Sequence, residues 1–206
     1  AELSYERSRA SKSFHAQEIV PVEVKQRKKT ITVDEDEEPA KDTSRLRSLR
    51  PAFLEDGTVT AANASKLNDG AASLVVMSLE ECEKRNLEPL CAIQGFGDAQ
   101  RTPIDFTIAP SLAVPAALAH AELDMSDVSI HEVNEAFAVV ALANAQILNV
   151  DVDKVNQRGG AVSLGHPIGM SGARIVGSLA MQLEDVGVAS ICNGGGGASA
   201  IVLTKL

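Results

Sequence analysis

VSIHEVNEAFAVVALANAQIL, residues 128–148, decides the fold. Its first six residues, VSIHEV, form a short apolar run that reads as a strand. NEAFAVVALANAQIL follows without a break and is apolar nearly all round, which predicts a buried helix. A strand that feeds directly into such a helix is the repeating unit of α/β layering.

The same alternation continues on both sides. CAIQGFGDA (91–99) reads as a strand with a glycine break, and SLAVPAALAHAEL (111–123) as a helix that tolerates Pro115 near its first turn. GGAVSLGHPIGMSG (159–172) reads as a glycine-rich loop. ARIVGSLAMQL (173–183) places Ile175, Leu179 and Leu183 on one helical face. GVASICN (187–193) and ASAIVLTKL (198–206) read as two strands, antiparallel because the link between them is short. Upstream, AASLVVMS (71–78) reads as a buried strand and SLEECEKRN (78–86) as a helix opened by a capping box of Ser78 and Glu81. EDG (55–57) marks a turn and TVTAANAS (58–65) an extended stretch. Residues 1–50 are more polar: a helix over 1–18, the extended IVPVEVK (19–25), a basic surface run KQRKK (25–29), and a solvated acidic loop DEDEEPAK (34–41). Arg45, Arg47 and Arg50 lie on a short helix or turn where they can face an anion.

Bulk properties narrow the function classes. Apolar residues make up 45% of the 206 and aromatics only 3%, so the core is built of Ala, Val, Ile and Leu. A net charge of −9 argues against nucleic acid as partner. No run of about 18 apolar residues is present to span a membrane, and no signal or transit peptide is expected. Three cysteines at irregular spacing give neither a zinc motif nor a disulfide framework, and predict reduced thiols in an intracellular compartment. The chain begins without Met and in mid-helix, which leads us to expect a fragment.

Eleven of the fifteen glycines lie between 159 and 197, and such a concentration suits a place where backbone approaches a ligand. Three polar residues stand in or near it. Cys192 ends an apolar strand; alone it reads as an inert buried thiol, but ICNGGGGASA (191–200) exposes the sulfur and frees N–H groups beside it. His166, in LGHPIG, precedes the helix that opens at SGARI, whose positive dipole favours a neutral imidazole able both to donate and to accept. Asn134 sits where strand meets helix, either as a helix cap or as an amide that holds a water or a carbonyl.

VNEAFAVV (133–140), NQRGGAVSLGHPIGMSGARI (156–175), ICNGGGGASA (191–200) and DGTVTAANASKLNDGAA (56–72) together resemble the C-terminal half of a thiolase, of the acetoacetyl-CoA type and its mitochondrial form. The resemblance covers nearly the whole chain and is loosest over 26–50. It implies a thiolase-like layered α/β fold, a mixed sheet with helices on both faces. The expected division is the end of a loop domain (1–55), the last strand and helix of an N-terminal domain (56–87) and a C-terminal domain (88–206).

The implied activity is acyl transfer, the reversible Claisen condensation of two acetyl-CoA to acetoacetyl-CoA and CoA. Cys192 then shuttles the α-proton. His166 activates a nucleophilic cysteine and polarises the thioester oxygen. Asn134 positions a water in that oxyanion hole, and the Gly194 N–H serves a second one. The resemblance further implies coenzyme A as substrate, with its arm along Phe53, Ala61, Ala64, Ser65, Leu67, Ala136 and Phe137, Ser65 hydrogen-bonding the arm and Lys41 near the nucleotide. It implies a potassium ion at Tyr5 and the carbonyls of Ala61, Ala62, Ala64 and Val162. No redox cofactor, nucleic acid or membrane is implied. A homodimer or homotetramer of the full-length enzyme, in the mitochondrion, is.

One departure matters. The family's nucleophilic motif, CxSGxKA, has no match, since Cys82 sits in EECEK and Cys91 in PLCAIQG. The chain alone is therefore expected to be inactive. A 3-ketoacyl-CoA thiolase of broader chain length, and a short non-catalytic CoA-binding protein, stay open as alternatives. A β-ketoacyl synthase does not fit the CxG cysteine.

Overall fold

The computed structural model describes every residue except Lys28 and Glu37. Helices α1 (Glu2–Ala10) and α2 (Lys12–Glu18) open the chain. Strands β1 (Val22–Gln26) and β2 (Lys29–Val33) form an antiparallel hairpin of their own. After an irregular stretch come α3 (Leu79–Arg85), β3 (Cys91–Gln100), α4 (Pro110–His120), β4 (Ile130–Val133) and α5 (Ala138–Leu148). The short α6 (Ala161–Leu164), α7 (Ser171–Gln182), β5 (Val186–Cys192) and β6 (Gly197–Lys205) complete it.

The main sheet runs β3-β6-β5-β4. β3 and β5 pair antiparallel with β6, and β4 pairs parallel with β5, so the sheet is mixed. Side chains alternate across the pleat. Val186, Val188 and Cys192 of β5 join Val114, Ala117 and Val140 in the core under α4 and α5. Ala189 joins Ile130, Leu203, Leu179 and Leu183 under α7. The sheet thus carries helices on both faces, as expected, and the Ile175–Leu179–Leu183 stripe faces inward.

Several local expectations need correction. Residues 71–78 have no regular secondary structure and form no strand among the described residues, and Val75 is 84% exposed. An apolar run is buried only where something covers it: Leu74 lies against Gly177 of α7, while Val75 and Val76 face solvent. α5 begins at Ala138, not at Asn134, and is not buried all round, since Val139, Leu142 and Ile147 reach solvent. Residues 134–137 are held out of the helix by hydrogen bonds from Ser65 N to Ala136 O and from Ala138 N to Asn63 O. Within 58–65 the extended run is broken by a turn at 61–63. The loop 159–172 contains α6. The acidic run 34–41 is not wholly solvated: Asp36 pairs with Arg174 and Glu38 is buried. Glu37 of that run, and Lys28 of the basic run, lie outside the described residues. The predicted cap holds in half, with Ser78 Oγ accepting from Glu81 N while the Glu81 carboxylate pairs with Arg85 instead.

Candidate active site

Asn134 leaves the end of β4 with its N–H donated to the Ser190 carbonyl of β5, at 2.9 Å. Its amide Nδ2 lies 3.4 Å from His166 Nε2. His166 is held by its own N–H, which donates to Lys66 O at 2.8 Å, and by its ring Nδ1, 2.7 Å from Ser171 Oγ. Burial lowers the pKa of the imidazole below its ordinary value, which favours the neutral ring. Asn134 is buried, and its Oδ1 has no partner among the described residues. It is not the cap of α5, where Phe137 holds that position.

Cys192 ends β5, two residues beyond Ser190. One strand spacing and one residue's rise put its Cα roughly 6 Å from that of Asn134. No hydrogen bond among the described residues joins Cys192 to Asn134 or His166. The thiol is buried rather than exposed by its glycines, and burial pushes its pKa up to about 11. The glycines that follow divide in two. Gly196 adopts φ +92°, and a methyl on it would run into the Arg101 carbonyl, so the turn itself requires glycine. A methyl on Gly194 would meet nothing within 4 Å, so that glycine borders open space.

Residues 60–68 thread between these motifs. Ala64 bridges to Phe137, Ser65 N and Oγ both donate to the Ala136 carbonyl, and Lys66 O receives His166 N–H. Phe137 stacks edge-on with Phe53 at 6.3 Å and with Phe106 at 6.2 Å. The structure thus brings Phe53, Ala64, Ser65, Ala136 and Phe137 together. Ser65 spends its hydroxyl proton on the backbone, so it has only lone pairs for a ligand. Leu67 is 73% exposed. Lys41 and Lys66 both end on buried Glu38, the latter at 2.9 Å. Tyr5 is buried with Arg9 over its ring, and α1 packs on α6, which carries Val162. Among the described residues no backbone N–H donates to the carbonyls of Ala61, Ala62 or Ala64.

Sequence reasoning passed over Glu135. Its buried carboxylate accepts from Ser4 Oγ at 2.7 Å, Asn156 Nδ2 at 3.0 Å and Val162 N at 3.1 Å. Asn156, at φ +49°, also bonds both Val133 N and Val133 O. This clamp ties α1, the end of β4 and α6 around the site. The signal was present as the E of NEAF. Phe106 gave none.

Asn134 and Cys192 end neighbouring strands of a mixed sheet, the loop before α7 brings His166 to Asn134, and a small-residue segment threads beside them; the chain belongs to the thiolase family. Residues 1–80 match the thiolase N-terminal domain and 87–205 the thiolase C-terminal domain. Mitochondrial acetyl-CoA acetyltransferase of Danio rerio is 55% identical over 195 residues, 92% of this chain and 46% of that protein. The Mus musculus mitochondrial enzyme is 53% identical over 93% of this chain and 46% of its own length. Among solved structures, Bacillus anthracis acetyl-CoA acetyltransferase superposes with a TM-score of 0.96 at 39% identity, over 100% of this chain and 54% of that one. Acat5 thiolase from Ascaris suum, in complex with coenzyme A, gives 0.88 at 43% identity over 98% and 53%. The chain spans about half the length of the relatives it matches.

Proposed function

We propose that the chain supplies the proton-shuttling part of an acetyl-CoA C-acetyltransferase. The observation that carries this is the Asn134–His166 contact at the end of β4, one strand from Cys192 and beside open space at Gly194. In carbon–carbon cleavage, the Cys192 S–H protonates the carbanion carbon of departing acetyl-CoA and the sulfur is left as thiolate. In condensation the thiolate takes the α-proton back. Burial keeps the resting group as the thiol, the donor form. His166 Nε2 accepts the proton of a nucleophilic thiol, and the N–H so formed points at the thioester oxygen. The unpartnered Asn134 Oδ1 suits a water beside it, and the Gly194 N–H serves the second carbonyl.

No described cysteine suits the nucleophile. Cys82 is buried on α3, and Cys91 pairs with Lys205 at the opposite end of the sheet from Cys192. We assign the CoA arm to Phe53, Ala61, Ala64, Ser65, Leu67, Ala136 and Phe137, with Lys41 toward the nucleotide; the CoA complex of the Ascaris suum neighbour supports this. Carbonyls of Ala61, Ala62, Ala64 and Val162 with the Tyr5 hydroxyl are neutral oxygen donors, the set that suits potassium, whose charge would steady the Ala61–Ala64 turn. Relatives named mitochondrial support that compartment, and the domain division at 55 and 87 and assembly as a homodimer or homotetramer belong to the same reading. Among the solved structures, identities of 39% to the Bacillus anthracis acetyl-CoA acetyltransferase and 43% to the Ascaris suum Acat5 thiolase, against 35% to human mitochondrial 3-ketoacyl-CoA thiolase, favour short acyl chains.

Thiolysis of acetoacetyl-CoA, followed by loss of its enolate absorbance, tests the proposal. The chain alone shows none. Joined in frame to an upstream half bearing a CxS cysteine it turns over, and Cys192→Ser then lowers turnover by orders of magnitude while CoA binding holds. Near-normal turnover in Cys192→Ser overturns the assignment.

A further inference from the structure

His166 has two ring nitrogens and one proton between them when neutral, and its surroundings differ sharply on the two sides. Nδ1 lies 2.7 Å from Ser171 Oγ, and both residues are buried. Ser171 is the first residue of α7, and its Oγ lies 3.1 Å from the Pro167 carbonyl, placed to donate to it. A hydroxyl has one proton. If Ser171 gives it to Pro167 O, its oxygen can only accept from His166, so Nδ1 must carry the imidazole proton. On the other side, Nε2 faces the Asn134 amide nitrogen at 3.4 Å, itself a donor, which an Nε2–H would oppose. The hydrogen-bond directions agree along the whole line: Asn134 Nδ2–H to Nε2, Nδ1–H to Ser171 Oγ, Oγ–H to Pro167 O.

We propose that Ser171 is a positioning residue which holds His166 as the Nδ1–H tautomer, with the Nε2 lone pair turned to the site. This rests on the reading of His166 as the group that takes a thiol proton at Nε2. The wrong tautomer presents a second donor there and cannot accept. When Nε2 gains its proton, the Nδ1–H bond to Ser171 is already in place, so the imidazolium is held on that side and only the Asn134 amide on the other must turn. The helix matters as well as the hydroxyl, because the Ser171 N–H also donates to Pro167 O, at 3.0 Å. That bond fixes the serine relative to the turn that carries His166.

Long-range proton–nitrogen correlation on the ¹⁵N-histidine-labelled chain reads the tautomer directly, with His166 assigned by its loss in His166→Gln. The unsubstituted chain shows His166 protonated at Nδ1. Ser171→Ala moves the ratio toward Nε2–H by about fivefold, the weight of one hydrogen bond, and Ser171→Thr, which keeps the hydroxyl, restores it. An Nε2–H signal in the unsubstituted chain, or an unchanged ratio in a folded Ser171→Ala, overturns the proposal. Should Ser171→Ala not fold, the unsubstituted spectrum still decides. The readout needs no turnover, so a chain that fails as a thiolase can still show the tautomer, and the two readings fail separately.

Discussion

Glu135 and Gly160 approach so closely that no side chain fits between them: a methyl on Gly160 would lie 2.6 Å from Glu135 Oε2. The carboxylate cannot step aside, because Ser4, Asn156 and Val162 each donate to it. Gly160→Ala therefore costs about 1–3 kcal/mol of stability in urea unfolding, the usual range for overpacking. The backbone at Gly160 is extended, so the loss comes from packing alone. A variant as stable as the parent would mean the clamp is looser than its distances indicate.

Gly194 is the opposite case. Its methyl would meet nothing, and its φ is not left-handed. Gly194→Ala should leave stability within about 0.5 kcal/mol and weaken the binding of acetoacetyl-CoA, which calorimetry can measure. Unchanged binding would remove this glycine from the site.

Cys192 should alkylate slowly. With a pKa of about 11, only about 0.1% of it is thiolate at pH 8. Mass spectrometry after timed iodoacetamide treatment should find Cys91, which is partly exposed, modified before Cys192. The Cys192 rate should then climb about tenfold per pH unit toward pH 10. Fast modification of Cys192 at neutral pH would contradict the buried-thiol geometry.

Glu132 links stability to pH. Burial, with Glu135 and Glu18 adding repulsion, pushes its pKa up to about 8. The folded chain then keeps a proton that the unfolded chain releases near pH 4.5. Its contribution is complete below that value and is lost as pH rises through about 8. Glu132→Gln removes this loss, and the added amide can donate to Gln182 Oε1, which has no partner among the described residues. The melting temperature of the variant should decline less between pH 5 and 8. An identical slope would place the titration elsewhere.

The layered sheet was legible because β4, β5, β6 and α7 carry their periodicity locally. Ile175, Leu179 and Leu183 point inward for the reason their spacing gives. Asn134, His166 and Cys192 stood out as residues in motifs, and the contact of the first two is made where the loop before α7 meets the end of β4. The start of α5 was not legible. It depends on the Asn63 carbonyl accepting from Ala138 N–H and on Ser65 N–H donating to Ala136 O, from more than seventy residues upstream, and no periodicity within NEAFAVV records them. Val75 misled for the converse reason, since apolar character states what a segment could bury and not whether a neighbour exists. Glu135 reads as an ordinary polar residue until Ser4 and Asn156 are seen to meet it.

The sheet order puts β6 between β3 and β5, although β6 is the last of the four strands in the chain. On a ribosome, β3, β4 and β5 would emerge first and wait, with β3 and β5 lacking the neighbour that joins them. Cys192 would be made before the strand that fixes its place, since it pairs with Ala198. Assembly of the site thus waits for β6, and a nonsense codon only a few positions before Gly197 would cut β3 off from the β4–β5 pair rather than leave a slightly shortened sheet.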